Sequence, residues 1–258
     1  MSTLSTFLTN QSTADYARDG YVLVPDLFSS KEIQALLRDV EQGDRVAAAT
    51  RGNEDASGKK AKLAIWHELG DDVWAAASTN PRVVNNTRIL MAEEIAFFHG
   101  KVMLKEAGQG GAWEWHQDYG YWYKQGFVFP RMISVFVALD AATKENGCLQ
   151  VLKGSHLLGR LEHVIVGSQT GADPSKIDEL TGLFEKVYVE MEPGTALFFH
   201  SNLLHASDLN TSTRHRRSFI MCYNALGNPQ LGEKKTSEQR PCPVSAEDAI
   251  LKAAGRQS

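Results

Sequence analysis

The sequence predicts a mainly β fold with flanking helices, built as an antiparallel sandwich or barrel. After about residue 99 the chain consists of short apolar segments separated by Gly, Pro and Asn, a texture typical of consecutive antiparallel strands. Before that point, apolar residues recur with helical spacing. We therefore expect the helices in the N-terminal part of the chain, packed on one outer face of the sheets.

The N-terminal part begins with one short strand and continues into a helix. The segment YVLVPDLF at 21–28 has the composition of a strand, and Pro25 marks its edge or end. Ser29 and Glu32 have the spacing of a capping box, which predicts that a helix starts there. The apolar residues that follow have helical periodicity: Ile33, Leu36, Leu37 and Val40.

The region between this helix and the strands is expected to contain a loop and more helix. Residues 46–62 are rich in small and charged residues, and we expect an exposed loop there. A second helical region is expected over 71–77 and 81–98.

Strand-like segments then follow one another along the chain: KVMLKEAG, MISVFVALD, CLQVLKGSH, KVYVEMEPGTALFFH and RSFIMCYNAL. The sequence MEPGT at 191–195 predicts a turn inside a hairpin-like pair. Residues 167–183 are expected to form a loop inserted between strands, where loops often shape a substrate site. The tail after Gly227 is polar, and we expect it to be peripheral.

Composition and charge are those of an ordinary globular protein. The chain has 258 residues, of which 43% are hydrophobic and 22% charged, and its formal net charge is −4. Nucleic-acid-binding proteins usually present a basic face. The basic cluster at 214–217 is too short to form one, so we expect no nucleic-acid partner.

Cysteine usage fits a reducing compartment. Cys148, Cys222 and Cys242 are far apart and form no C-x-x-C pair, which argues against a disulfide scaffold or a cysteine-based zinc site. The N-terminus lacks the apolar segment of a secretory signal, and no window approaches about 18 apolar residues. We therefore expect a cytoplasmic protein without a membrane partner.

The most informative motif is WEWHQDYGYW at 113–122, which contains an H-x-D pair formed by His116 and Asp118. On a strand, residues i and i+2 point to the same face, so both side chains can reach one metal ion. His205, in LFFHSNLLHASD, is the best candidate for a third ligand. Two imidazoles and one carboxylate form the facial triad of non-haem iron(II), which leaves open positions for co-substrate and oxygen.

Two alternatives remain open at this ligand set. His200, five residues before His205, would be the third ligand if the strand ending at His200 reached the metal. The same three residue types also bind zinc, so the triad alone does not decide the metal.

Arg216 favours an iron enzyme over a zinc hydrolase. It follows His205 by eleven residues and begins the strand-like run RRSFIMCYNAL. Its guanidinium could pair bidentately with the distal carboxylate of 2-oxoglutarate, an arrangement that a zinc hydrolase does not need. Arg214 and Arg217 are interpreted as solvated or paired with surface acids, and Arg217 would face opposite to Arg216 on a strand.

Taken together, these motifs resemble the phytanoyl-CoA dioxygenase family of iron(II)/2-oxoglutarate oxygenases. The resemblance covers about residues 15–225. Its strongest parts are WHQDYGYW, the segment ENGCLQVLKGSH at 145–156, and HAS…RHRRS around 205–218.

The resemblance implies a fold. It is a double-stranded β-helix, a cupin-like jelly roll of two antiparallel sheets with helices on one side. We expect one domain over 1–258, with N-terminal helices at about 29–98 packed on a jelly-roll core at about 99–226 and a polar tail after 227.

The resemblance also implies roles for particular residues. His116, Asp118 and His205 would be the iron ligands, and Arg216 would bind the far carboxylate of 2-oxoglutarate. Further cofactor-site contacts are implied at Ser207, Trp122, Lys105 and His99.

Three residues are expected to contact the substrate. Tyr119 and Tyr123 lie beside the proposed ligands in sequence and could make hydrogen bonds or cation–π contacts. Asn224 is expected near the pocket because it lies at the end of the last predicted strand.

The implied reaction uses Fe(II), O₂ and 2-oxoglutarate, and it releases succinate and CO₂ while hydroxylating a substrate C–H bond. Because Asp118 is a carboxylate rather than a small residue, the resemblance implies oxygenation rather than halogenation. The expected substrate is a small, polar or zwitterionic metabolite, such as an organophosphonate or an amino-acid-like compound. The alternatives are a non-catalytic jelly-roll protein that binds a metal or small molecule, and a zinc hydrolase.

Overall fold

The computed structural model describes residues 8–55, 58–232 and 239–256. The strands in these ranges are β1 (Tyr21–Val24), β2 (Thr50–Glu54), β3 (Lys60–Trp66), β4 (Ile95–Lys105), β5 (Trp113–His116), β6 (Met132–Ala138), β7 (Leu149–Leu152), β8 (His163–Val166), β9 (Gln169–Ala172), β10 (Lys186–Val189), β11 (Ala196–His200), β12 (His205–Ser207) and β13 (Arg216–Ala225). The helices are α1 (Asn10–Asp19), α2 (Ser30–Gln42), α3 (Asp44–Ala49), α4 (Val73–Ser78), α5 (Pro81–Met91), α6 (Asp118–Lys124), α7 (Pro174–Thr181) and α8 (Ala249–Gly255), with a short 3₁₀ helix at Ser155–Leu157.

Two antiparallel sheets form the β core, as the sequence predicts. The larger sheet has the strand order β1-β11-β6-β13-β4-β3-β2, and the smaller has the order β10-β7-β12-β5. One hydrophobic cluster contains side chains of both sheets, among them Phe136 and Ile220 from the larger and Val151 from the smaller. The mainly β jelly roll with flanking helices is therefore confirmed, as two packed sheets without a closed barrel.

Helices cover the other face of the larger sheet. On β13, Phe219 and Met221 point towards the helices, while Ile220 points towards the smaller sheet, because successive side chains of a strand alternate between faces. Trp74 of α4 is fully buried in the helix-side cluster and contacts the ring of Phe219 at 4.9 Å between centroids. Burial of each such side chain contributes roughly 1.5–3 kcal/mol to folding.

Helix α2 begins where the sequence predicts. The Ser29 hydroxyl accepts a hydrogen bond from the backbone N–H of Glu32, and the Glu32 carboxylate accepts one from the backbone N–H of Ser29. These reciprocal bonds satisfy amide groups that the first turn of a helix leaves without partners. The helix then buries Ile33 and Leu36 against the sheet.

The exposed loop expected at 46–62 is wrong for the described part of that segment. Helix α3 ends at Ala49, and β2 and β3 then form an antiparallel hairpin at the edge of the larger sheet. Its small and charged residues reflect an exposed edge rather than a lack of secondary structure. Strands therefore occupy part of the region expected to be helical at 29–98, and β4 begins at Ile95 rather than near residue 99.

The hairpin expected around 191–195 is also wrong. Strand β10 pairs with β7 in the smaller sheet, whereas β11 pairs with β1 and β6 in the larger one. The turn is present, but it carries the chain from one sheet to the other, as a jelly roll requires. Gly194 has φ +91°, and an added Cβ there would lie 2.3 Å from the carbonyl oxygen of Phe28.

Two further segments contain more structure than the sequence indicates. The region 167–183, expected to be a loop, contributes β9 of the β8–β9 hairpin and helix α7. The described part of the tail ends in α8, whose Ile250 and Ala253 are buried in the helix-side core. This helix has only 7 residues, which are too few to show a clear helical periodicity within a polar tail. No helix within the described ranges is long and apolar enough to cross a membrane.

Candidate metal and co-substrate site

The ends of β5 and β12 and the start of α6 bring three potential metal ligands together. His116 is the last residue of β5, and it lies opposite His205, the first residue of β12. Asp118 is the first residue of α6 rather than part of the strand, which corrects the expected arrangement. Gln117 between them has an extended backbone (φ −106°, ψ 133°), so its two neighbours still point to the same side.

The geometry of the three side chains fits one metal ion. Their potential ligand atoms all lie within 4.8 Å of one another, and all three residues are buried. The Nε2 atoms of His116 and His205 each lie 4.0 Å from Asp118 Oδ1. A metal placed between these atoms would have the two-histidine, one-carboxylate set that suits iron(II).

Backbone contacts fix the tautomer of both imidazoles. His116 Nδ1 lies 2.7 Å from the carbonyl oxygen of Glu114, and His205 Nδ1 lies 2.9 Å from that of Leu203. A carbonyl oxygen only accepts hydrogen bonds, so each Nδ1 carries the proton and each Nε2 presents its lone pair to the site. Burial lowers the pKa of both histidines, which keeps them neutral as a metal requires.

The carboxylate of Asp118 divides its two oxygens between different partners. Oδ1 faces the two imidazoles and lies 3.6 Å from Lys101 Nζ, while Oδ2 accepts a hydrogen bond of 2.5 Å from Ser134. Burial disfavours the charged carboxylate, but the Lys101 ammonium and the Ser134 hydroxyl outweigh burial and lower its pKa. Burial likewise opposes the charge of Lys101, and Asp118 outweighs that effect and raises its pKa.

Arg216 is a buried cation that forms no ion pair with any other residue in the described part of the chain. Only 2% of the residue is exposed, and its Nη2 donates to the carbonyl oxygen of Gly147 at 2.8 Å. Its Nε has no hydrogen-bond partner, and no carboxylate within the described ranges lies within 4 Å of it. Burial lowers its pKa to about 10, so it remains charged at neutral pH. Arg217 points to the opposite face and pairs with Asp140 and Glu41.

A buried, unpaired guanidinium is costly, so this arrangement indicates that a ligand completes it. Arg216 and the three potential metal ligands line the same cavity, which has a volume of about 350 Å³. The acid of a bound ligand could therefore reach the arginine while another part of the ligand reaches the metal. These residues fit both an iron(II) ion and a dicarboxylate such as 2-oxoglutarate.

Three other expected residues line this central cavity, namely Ser207, Trp122 and His99. His99 is 3% exposed, its ring packs edge-on against Trp122 with centroids 5.9 Å apart, and its Nδ1 has no partner. Burial lowers the pKa of His99 well below its ordinary value. His99 therefore offers a neutral imidazole to the cavity.

Four expected residues lie outside the central cavity. The Lys105 ammonium donates to the backbone carbonyl oxygens of Ser207 and Asp208. The Tyr119 hydroxyl donates to the carbonyl oxygen of Val128 at 2.7 Å. Their polar atoms are thus held by the protein backbone.

Tyr123 and Asn224, the other two expected residues outside the cavity, also have other partners. Tyr123 is 48% exposed and stacks under the Arg160 guanidinium at 4.3 Å. Asn224 is fully buried and hydrogen-bonds to Asn228. His200, the rival of His205, is also outside the cavity, and its Nδ1 accepts a hydrogen bond from the backbone N–H of Asn202.

The periodicity of α6 explains why the tyrosines were misplaced. The cavity is lined by Asp118, Tyr121, Trp122 and Gln125, which have the i, i+3, i+4, i+7 spacing of one helix face. Proximity in sequence suggested Tyr119 and Tyr123, but these residues belong to the other side of the helix. A helical interpretation of residues 118–124 would have identified Tyr121 instead.

Other residues line the cavity although the sequence analysis did not name them, and the positions of some could have been predicted from the sequence. On β4, alternation starting from His99 places Lys101 and Met103 on the same face, and both line the cavity. Trp113 also lines it, because the pairing of β5 with β12 shifts register between His205 and Ser207, and such a bulge redirects side chains. The β8–β9 hairpin contributes Ser168, Gln169 and Thr170 to the cavity wall. These residues belong to the segment 167–183, which was expected to shape the site.

Comparisons with known sequences give consistent matches. The sequence model of Phytanoyl-CoA dioxygenase (PhyH) matches residues 16–218. The chain is 28% identical over 236 residues to L-proline trans-4-hydroxylase from Streptomyces griseoviridis, covering 83% of this chain and 85% of that relative. It is 27% identical over 268 residues to ectoine dioxygenase from Bordetella bronchiseptica, covering 94% of this chain and 84% of the relative.

Solved structures share the architecture. The crystal structure of EctD from S. alaskensis with bound Fe has a TM-score of 0.75 at 23% identity, covering 93% of this chain and 88% of that chain. The same protein with 2-oxoglutarate and 5-hydroxyectoine has a TM-score of 0.73 at 24% identity, covering 93% and 83%. At these identities the likeness shows a common fold.

Proposed function

Because the chain belongs to the phytanoyl-CoA dioxygenase family, we propose that it is an Fe(II)- and 2-oxoglutarate-dependent hydroxylase of a small, polar or zwitterionic metabolite. Relatives named for L-proline and ectoine act on small molecules of this kind. A single domain and a cytoplasmic location stay predictions from the sequence.

The observation that carries the proposal is the position of Arg216. It is a buried cation with no ion-pair partner among the described residues, and it lines the same cavity as His116, Asp118 and His205. Neither a zinc hydrolase nor a structural metal site needs a cation there, whereas a dicarboxylate that also binds the metal does. We assign the three ligands to Fe(II) and Arg216 to the distal carboxylate of 2-oxoglutarate.

The protein's part in the reaction is binding, orientation and exclusion of water. His116 and His205 present neutral Nε2 atoms, and Asp118 presents Oδ1, so these three side chains would hold the ion. When bound, iron(II) supplies the activation of O₂ that couples decarboxylation of 2-oxoglutarate to oxidation of a C–H bond. Ser207 and Trp122, with His99, would form the polar and aromatic wall around the co-substrate.

Succinate formation tests the proposal directly. The purified protein would be reconstituted with Fe(II) without oxygen and then exposed to O₂ and 2-oxoglutarate with a panel of substrates. The panel would contain L-proline, ectoine, methylphosphonate and acyl-CoA esters. Succinate that increases with one compound would support the reaction class and identify the substrate type. Tight metal binding without 2-oxoglutarate binding or succinate would contradict it and favour the non-catalytic alternative.

A further inference from the structure

His163 is a buried histidine that the proposed function leaves without a role. It begins β8, only 2% of the residue is exposed, and it is not part of the lining of the central cavity. Its Nδ1 lies 3.0 Å from the carbonyl oxygen of Leu161, which only accepts hydrogen bonds, so Nδ1 carries the proton. Burial lowers the pKa of His163. The ring is therefore neutral at neutral pH, and its Nε2 is a hydrogen-bond acceptor.

The partner of His163 Nε2 lies in the chain between two of the potential metal ligands. Nε2 accepts a hydrogen bond of 3.0 Å from the backbone N–H of Gln117, the residue between His116 and Asp118. Gln117 is itself fully buried, so its N–H cannot turn to bulk water instead, and a buried amide without a partner is unfavourable. The imidazole of His163 thus fixes the orientation of the peptide that follows His116.

The side chain of Gln117 extends the same arrangement towards the third ligand. Its Oε1 accepts a hydrogen bond of 2.8 Å from the backbone N–H of Leu161, and its Nε2 donates to the carbonyl oxygens of Gly159 and Asn202 at 3.2 and 3.0 Å. Asn202 belongs to the connection from β11 to β12, which leads to the third ligand. Through Gln117, the segment 159–163 therefore contacts the chain on both sides of the metal site.

A second observation, the close packing at Gly120, is independent of these hydrogen bonds. Gly120 is a buried residue of α6, and a Cβ added there would lie 2.1 Å from Cε1 and 2.3 Å from Nε2 of His163. Alanine forms helices better than glycine does, so the helix itself does not explain a glycine at this position. The absence of a side chain lets the imidazole reach the amide of Gln117.

We propose that His163 is a positioning residue of the metal site, because its imidazole holds the peptide that sets the relative orientation of His116 and Asp118. The inference rests on the metal assignment of the proposed function and adds a residue that lies outside the cavity. Without the acceptor at Nε2, the peptide between His116 and Gln117 would rotate to find another partner. That rotation would move both ligand side chains, so metal affinity would fall while the fold persists.

Binding of Co(II) tests this role without any turnover. Co(II) accepts imidazole and carboxylate ligands, and its visible absorption bands report the geometry of those ligands. We expect His163→Leu to raise the Co(II) dissociation constant by about tenfold or more and to change the bands, as loss of an outer partner of a metal site commonly does. His163→Gln should stay within about threefold of the wild type and keep its bands, because Oε1 can still accept from the amide of Gln117.

Gly120→Ala is a second variant, which leaves the histidine in place. Its Cβ would displace the imidazole from the amide of Gln117, so it should weaken Co(II) binding and change the bands as His163→Leu does. Gly182→Ala is the matched control. Gly182 is exposed at the end of α7, and an added Cβ there would lie 3.4 Å from the carbonyl oxygen of Glu179, an ordinary contact. It should bind Co(II) as the wild type does.

A purely structural histidine would give a different pattern. His163→Leu would then melt at a lower temperature while the folded protein kept the wild-type Co(II) affinity and bands, and that result would overturn the inference. It would also be overturned if His163→Gln were as impaired as His163→Leu, or if Gly120→Ala bound Co(II) as Gly182→Ala does. A wild type that bound no Co(II) would overturn the metal assignment itself. The reaction class is tested separately, by succinate formation.

Discussion

The hydroxyl of Ser134 donates a hydrogen bond of 2.5 Å to Asp118 Oδ2, and both residues are almost completely buried. Ser134 lies in the middle of β6, so a rigid strand of the larger sheet holds the carboxylate. Oδ1 is left to face the two imidazoles. Ser134 is thus a positioning residue that favours binding of a metal through one oxygen of Asp118.

Replacing Ser134 by alanine should weaken metal binding without unfolding the protein. We expect Ser134→Ala to raise the Fe(II) dissociation constant by about 10- to 100-fold, as loss of a hydrogen bond to a metal ligand commonly does. Anaerobic titration against a chelator would measure it. Ser201→Ala is the control, since Ser201 is also buried but donates to Pro130 O. Equal affinities for the two variants would contradict the positioning role.

The choice between His205 and His200 can be tested by a pair of variants. His205→Ala should lose Fe(II) binding by more than about 100-fold because it removes one of three ligands. His200→Asn should retain it, since the asparagine carbonyl can still accept the N–H of Asn202. Metal content after reconstitution and gel filtration is the measurement. Loss of metal from His200→Asn with a native melting curve would reverse the assignment.

Arg216 should lower the stability of the ligand-free protein and increase its affinity for 2-oxoglutarate. We expect Arg216→Met to raise the 2-oxoglutarate dissociation constant by about 100-fold or more, while Fe(II) affinity changes little. Without ligand, the same variant should be more stable than the wild type by on the order of 1–2 kcal/mol, because it removes an unpaired buried charge. Calorimetric titration and chemical denaturation would measure the two effects.

Arg217→Met provides the contrast, because Arg217 pairs with Asp140 and Glu41 on the other face of β13. It should lose stability and keep 2-oxoglutarate affinity. If Arg216→Met bound 2-oxoglutarate as the wild type does, the role of Arg216 would be structural.

The spacing of residues in the sequence predicted the two-sheet fold and the residues that meet at the cavity. Local composition gave wrong predictions for the strands at the edge of the larger sheet. His116, Asp118, His205 and Arg216 line one cavity because the end of β5 and the starts of α6, β12 and β13 lie around it. The β2–β3 hairpin was missed because its edge strand β2 is exposed and therefore lacks an apolar pattern.

Other errors have a different physical origin. Tyr119 and Tyr123 were chosen because they lie beside the ligands in sequence, although residues 118–124 form a helix whose cavity face carries Tyr121. Lys101 could have been found, since it shares a strand face with His99. Trp113 could not, because its orientation depends on a register shift between β5 and β12 that only pairing reveals.

The free energy of unfolding should decrease as the pH is lowered through the mildly acid range, and His200 should cause a defined part of that decrease. Burial, with a smaller contribution from His156, lowers the pKa of His200 from 6.5 to about 4. Between these two values the unfolded chain binds a proton at His200 that the folded chain excludes, so the free energy of unfolding decreases as pH falls. Above the unfolded pKa and below the folded one, His200 adds no slope.

We expect His200→Asn to remove this part of the slope. The contribution is at most about 1.4 kcal/mol per pH unit and about 3 kcal/mol over the whole window. Urea denaturation of metal-free protein at several pH values between 4 and 7.5 would measure it. His200→Asn should be less dependent on pH than the wild type while the remaining buried histidines keep some slope in both. Parallel curves would mean that His200 titrates normally in the folded protein, and that water reaches its ring.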